Sequence, residues 1–145
     1  MGLRRAQAPR RKDGMRPVAP VFQLYRFSDD DAIWWRLVSP NGRGIARSSV
    51  ALADGEAARA SVESVRASAA ALVPVLRLTD TYRWQWVLTR DDAPVVQGIG
   101  DQDRRVRCAH ACRNFVLLAP DAAVEPVIST YRRTGAPPRS ARATR

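Results

Sequence analysis

The chain is poor in the residues that carry most enzyme chemistry. Among 145 residues it has one histidine, two cysteines and, at Lys12, one lysine. A single histidine, His110, leaves no second imidazole for a paired metal site or an acid–base relay. Cys108 and Cys112 are four apart, so on a helix they share a face while His110 points roughly 200° away. The three cannot converge on one ion, and two thiolates alone do not close a zinc site. They read as small core cysteines, with His110 exposed. There is no Gly-rich phosphate loop and no Walker motif. The clustered acids, Asp29-Asp30-Asp31 and Asp91-Asp92, sit where hairpin turns are expected and lack calcium-loop spacing. No apolar run approaches the ~18 residues of a membrane span, and no apolar stretch follows the basic start at Arg4 and Arg5. These absences argue for a non-catalytic, cytoplasmic protein with no cofactor, metal or membrane partner.

What is abundant is arginine, and it is unevenly placed. The net charge is +10. Residues 1–20 hold Arg4, Arg5, Arg10, Arg11, Lys12 and Arg16 against Asp13. Residues 126–145 hold Arg132, Arg133, Arg139, Arg142 and Arg145 with no acid. The span between them is neutral, so the pI of 11.2 belongs to two tails. Such tails suit nucleic acid or another polyanion. They also suit a solubilising extension in an arginine- and alanine-rich composition, and the charge alone does not choose.

The neutral span says nearly the same thing twice. Ile33-Trp34-Trp35-Arg36-Leu37, a turn at Pro40-Asn41-Gly42 and the strand Gly44-Ile45-Ala46 form one block. Trp84-Gln85-Trp86-Val87-Leu88, a turn at Asp91-Asp92-Ala93-Pro94 and Val95-Val96-Gln97 form the other, at an offset of 51. A strand precedes each block, at 22–25 and 75–78, and a helix follows each. Asn41-Gly42 is a tight-hairpin signal in which both residues accept positive φ. Asp54 is placed to cap the first helix, whose stripe is Ala58, Val62, Val65, Ala69 and Leu72. Asp101 or Asp103 is placed to cap the second, whose inward residues are expected to include Val106, Ala109, Cys112 and Val116. The predicted fold is α+β: two tandem β-β-β-α repeats, 21–72 and 73–119, sharing one antiparallel sheet with both helices on one face. Residues 1–20 and most of 120–145 read as disordered basic arms, although Val127–Tyr131 could add an edge strand.

The residues resemble the YegP-like family, bacterial domain repeats of unknown function. The first unit supplies Phe22-x-Leu24-Tyr25, Trp35-x-Leu37, Asn41-Gly42, Ile45-Ala46-x-Ser48 and Val62-x-Ser64-Val65-Arg66. The second keeps Trp84-x-Trp86-x-Leu88 but has Asp92-Ala93 for Asn-Gly, and its helix has Ala109-x-Ala111-Cys112-Arg113. The resemblance spans about 100 residues, neither tail, and implies a sheet shared by two β-β-β-α units. It brings no catalytic residue with it.

Strand alternation sorts the aromatics. Ile33, Trp35 and Leu37, with Trp84, Trp86 and Leu88, fall on the face that meets the helices. Trp34 falls on the other, with Gln23, Tyr25, Arg36, Arg77, Arg83 and Gln85. Aromatics between arginines resemble single-strand nucleic-acid platforms, and equally a solvated face with cation–π pairs or one covered by a second copy. The candidate binding residues are therefore Tyr25, Trp34, Arg36 and Arg83 on the sheet, with Arg4, Arg5, Arg10, Arg11, Lys12, Arg132 and Arg133 in the arms. The partners considered are nucleic acid or another polyanion and, as the alternative, a homodimer formed through the open sheet face.

Overall fold

A computed structural model describes residues 19–133. The fold is α+β: one mixed seven-stranded sheet and two helices. The strands are β1 (Val21–Phe27), β2 (Trp34–Val38), β3 (Gly44–Ser48), β4 (Val73–Leu78), β5 (Trp84–Arg90), β6 (Ala93–Gly98) and β7 (Ala123–Tyr131). Helix α1 (Gly55–Ser68) follows β3 and α2 (Arg105–Leu118) follows β6. Each helix runs into a 3₁₀ turn, Ala69–Ala71 and Ala119–Asp121. The sheet order is β4-β5-β6-β3-β2-β1-β7.

The expected all-antiparallel sheet is corrected at one edge, where β7 pairs parallel with β1. Ordering the stretch from Ala123 to Tyr131 also shortens the expected C-terminal arm. Val124 and Ile128 pack against the core, which gives this stretch apolar area to offset its ordering entropy. The register slips between Phe22 and Leu24, opposite Pro126, which has no N–H to give the ladder. The Pro126 carbonyl instead accepts from Arg59 on α1.

One core cluster joins both helices to the sheet. Phe22 meets Trp35 edge-on at 5.4 Å, and Phe115 of α2 meets Trp86 at 5.5 Å. The Trp35 indole donates to Ser61 of α1 at 2.9 Å. Asp54 caps α1 as expected, accepting from the Ala57 amide at 2.8 Å. Helix α2 has no such cap: its N-cap is Arg104, while Asp101 pairs with Arg83 and Asp103 with Arg107. The inward stripe of α2 also differs from expectation. Cys108, Cys112, Phe115 and, one turn on, Ala119 are buried, whereas Val106 is 68% exposed. Seating Phe115, the bulkiest apolar side chain of the helix, against Trp86 sets this rotation.

Turn chemistry differs between the hairpins. Only Gly42 of Asn41-Gly42 has positive φ, following a turn closed by its N–H to the Ser39 carbonyl. The β5–β6 hairpin puts Asp91 and Asp92 at φ 52° and 67°, the two-residue geometry expected of Asn-Gly.

Candidate functional site

The register builds a row across six strands. Gln23, Arg36, Arg47, Gln97, Val87 and Val75 stand opposite one another in turn. Tyr25 and Trp34 are direct cross-strand partners in the next row on the same side of β1 and β2.

Arg36 is held firmly. Its Nε donates to Gln23 Oε1 at 3.0 Å and its Nη2 to the Tyr131 hydroxyl at 3.1 Å. Its guanidinium lies 5.4 Å from the Tyr25 ring centre and 5.5 Å from that of Tyr131. Arg47 lies 5.3 Å from the Trp34 ring centre and donates to the Ser48 carbonyl at 3.0 Å. The Trp34 indole N–H is buried with no acceptor among the described residues. Burial pushes the Tyr25 phenol up, against the pull of Arg47 and Arg36.

Arg36 and Arg47 face each other across β2 and β3, and neither has a carboxylate within ion-pair distance among the described residues. Like charges directly opposite each other destabilise a sheet. Spreading each cation over an aromatic face and a neutral acceptor offsets part of that cost. An oxyanion seated between the two would remove the rest and meet two guanidiniums shaped for it.

The sequence-derived candidates therefore separate. Tyr25, Trp34 and Arg36 come together. Arg83 does not join them, because it is bound to Asp101 at 3.0 Å. Arg133 stacks on Phe27 and pairs with Asp29 at 2.9 Å, and Arg132 is exposed. Arg4, Arg5, Arg10, Arg11 and Lys12 lie outside the described residues. Sequence reasoning missed Arg47 and Tyr131. The alternation set by buried Ala46 and Ser48 points to Arg47, but a parallel pairing of β7 with β1 leaves no local trace from which to place Tyr131.

Two clefts of similar size flank α2. One, about 620 Å³, is mostly apolar and runs along Pro74 and Leu76 of the β4 edge. The other, about 610 Å³, lies between α2 and the ends of β3 and β6.

The fold is similar to that of two YegP-like structures, in agreement with the motif resemblance. The structure is similar to the solution structure of YegP from E. coli, a protein of unknown function, with a TM-score of 0.64 and 14% identity over 81% of this chain and 98% of that one. It is likewise similar to the UPF0339 protein SO3888 from Shewanella oneidensis, with a TM-score of 0.63 and 12% identity over 76% of this chain and 92% of that one. No protein-family profile and no curated protein matches the chain.

Proposed function

We propose that the protein is a non-catalytic binding module that contacts nucleic acid through phosphates, using Arg36 and Arg47 on the sheet together with its arginine-rich arms. The proposal includes its architecture: a duplicated β-β-β-α unit with both helices on the face opposite Arg36. Supporting the duplication, each helix has 14 residues and each is preceded by an isolated bridge, Ile33 with Leu52 and Trp84 with Gln102. Supporting a shared helix face, Leu37 stands opposite Ala46 and Ala46 opposite Gly98, on which the Trp86 indole rests.

The observation that carries the functional reading is the facing Arg36–Arg47 pair, with no acid at ion-pair distance among the described residues. The Tyr25 and Trp34 rings already bear guanidiniums, so contact is to the backbone of the nucleic acid and sequence discrimination is small. Fluorescence anisotropy of a labelled duplex against the full chain, repeated across salt concentrations, tests it. Arg36→Gln with Arg47→Gln is expected to flatten the log–log salt slope by roughly 1.8, for two phosphates released. An unchanged slope removes the sheet from the reading. No binding at low salt removes nucleic acid altogether.

Self-association is the second reading, favoured by the β4 edge, where Val73 is 58%, Val75 43% and Leu78 50% exposed. A second copy would add to this edge, and sedimentation velocity over a concentration series reads it. Pro74 argues for modest affinity, since it removes one donor from the strand.

A further inference from the structure

We propose that the cleft between α2 and the ends of β3 and β6 binds a small organic anion, whose oxyanion accepts from the Trp86 indole N–H and from Arg107 and Arg113. This site is separate from the Arg36–Arg47 row and does not depend on nucleic-acid binding.

The two core tryptophans are seated differently. Trp35 donates its indole N–H to Ser61, the seventh residue of α1. Beside Trp86 the seventh residue of α2 is Ala111, which has no hydroxyl. Trp86 is only 4% exposed, yet no hydrogen bond within the described residues holds its N–H, which, unlike that of Trp34, is not shut off from solvent. Its pyrrole edge lies flat on Gly98, where a Cβ would stand 2.4 Å from Nε1. The last residue of β3, by contrast, is the buried Ser48. Losing the counterpart of the Ser61 hydroxyl leaves the indole N–H without that acceptor, and Trp86 and Ala111 line the cleft there.

The rest of the lining indicates what that acceptor is. Arg43, Arg107, Arg113 and His110 border the cleft, and no carboxylate does. Of these four, only Arg107 has an acid within ion-pair distance among the described residues, loosely, at 3.7 Å from Asp103. Ile45 and Ile99 add apolar wall. At about 610 Å³ the cleft has the size of sites that take small molecules. An N–H reached from the cleft, with cations around it and apolar wall beside it, suits a carboxylate or phosphomonoester carrying an apolar body.

The test uses the ¹⁵N-labelled full chain, with the Trp86 indole N–H resonance assigned through Trp86→Phe. Benzoate and phenyl phosphate are titrated separately at constant ionic strength. At least one is expected to shift that resonance saturably, and the one that does identifies the oxyanion. Arg107→Gln with Arg113→Gln is expected to weaken that titration about tenfold or more, as for charge-assisted hydrogen bonds. Ala111→Ser, which gives the indole an internal acceptor as Ser61 does for Trp35, is expected to weaken it while the fold is kept. Arg36→Gln with Arg47→Gln is expected to leave it unchanged. The proposal is overturned if neither probe moves the Trp86 resonance saturably, if Ala111→Ser binds as the parent does, or if only the Arg36 and Arg47 changes weaken the shift.

Discussion

Tyr82→Gly should stabilise the protein, and the structure gives the size of the effect. The β4–β5 hairpin closes by Thr79 N–H to the Arg83 carbonyl and Tyr82 N–H to the Thr79 carbonyl. The β2–β3 hairpin closes the same way through Ser39, Arg43 and Gly42. Gly42 takes φ 86° at no steric cost, whereas Tyr82 takes φ 60° with a Cβ. A left-handed conformation costs a non-glycine residue about 1–2 kcal/mol. Tyr82 is 79% exposed, so its ring returns little burial energy to offset that strain. Glycine gives back about 0.4–1 kcal/mol through a freer unfolded chain. The difference is a net gain of roughly 0.5–1 kcal/mol. Gly42→Ala is the mirror experiment. No atom lies within 4 Å of a Cβ added there, so its expected loss of similar size is purely backbone. Urea denaturation followed by tryptophan fluorescence reads both variants. Tyr82→Gly less stable than the parent at an unchanged m-value would refute the reasoning and show that the ring contributes more than its exposure indicates.

Further outcomes follow from the core and the edges. Trp86→Ala is expected to cost about 3–5 kcal/mol, read by the same unfolding curve, because the indole is packed on Phe115 and Gly98. Burial pushes the Cys112 thiol up to about 11, with Cys108 adding to it, and burial raises Cys108 also. The folded state therefore holds these protons more tightly than the unfolded chain. Stability should be flat below pH 9 and fall as the pH rises toward 11, a fall that Cys112→Ala should blunt. The same burial predicts slow alkylation by iodoacetamide at pH 8 that becomes fast in urea, and fast alkylation of the native protein would contradict it. Deleting residues from Ala123 onward exposes Phe22, Leu24 and the flank of α1, and should lower the unfolding midpoint measurably by circular dichroism.

The sequence made some of this fold legible and hid the rest for identifiable reasons. Strand alternation placed Ile33, Trp35 and Leu37 inside, and all three are buried. The Asp54 cap was legible because capping is local. Helix α2 was misjudged where local signals compete: two acids precede it, and both pair with arginines while neither caps the helix. Its rotation was misjudged because the stripe was read from Val106, while the core selected Phe115. The parallel edge strand was the least legible element. Its partner lies about a hundred residues upstream, and a nine-residue strand interrupted by Pro126 has weak alternation of its own.

The two candidate sites differ in legibility for a related reason. Aromatic and arginine residues on the sheet alternate along the strands, so Tyr25, Trp34 and Arg36 could be assembled from periodicity alone. The Trp86 cleft has no motif, because it consists of what is absent. Ser48 and Ser61 surround one tryptophan, and Gly98 and Ala111 surround the other. A glycine at a strand end and an alanine in a helix are the least conspicuous residues a sequence can show. They become informative only once the surroundings of the two tryptophans are compared in the fold, where the Trp35 indole N–H has its acceptor in Ser61 and Trp86 has no such hydroxyl beside it. On the proposed duplication, the two units share whatever the core requires of both. Chemistry particular to this protein is then to be sought where they differ, and the surroundings of Trp86 are such a place.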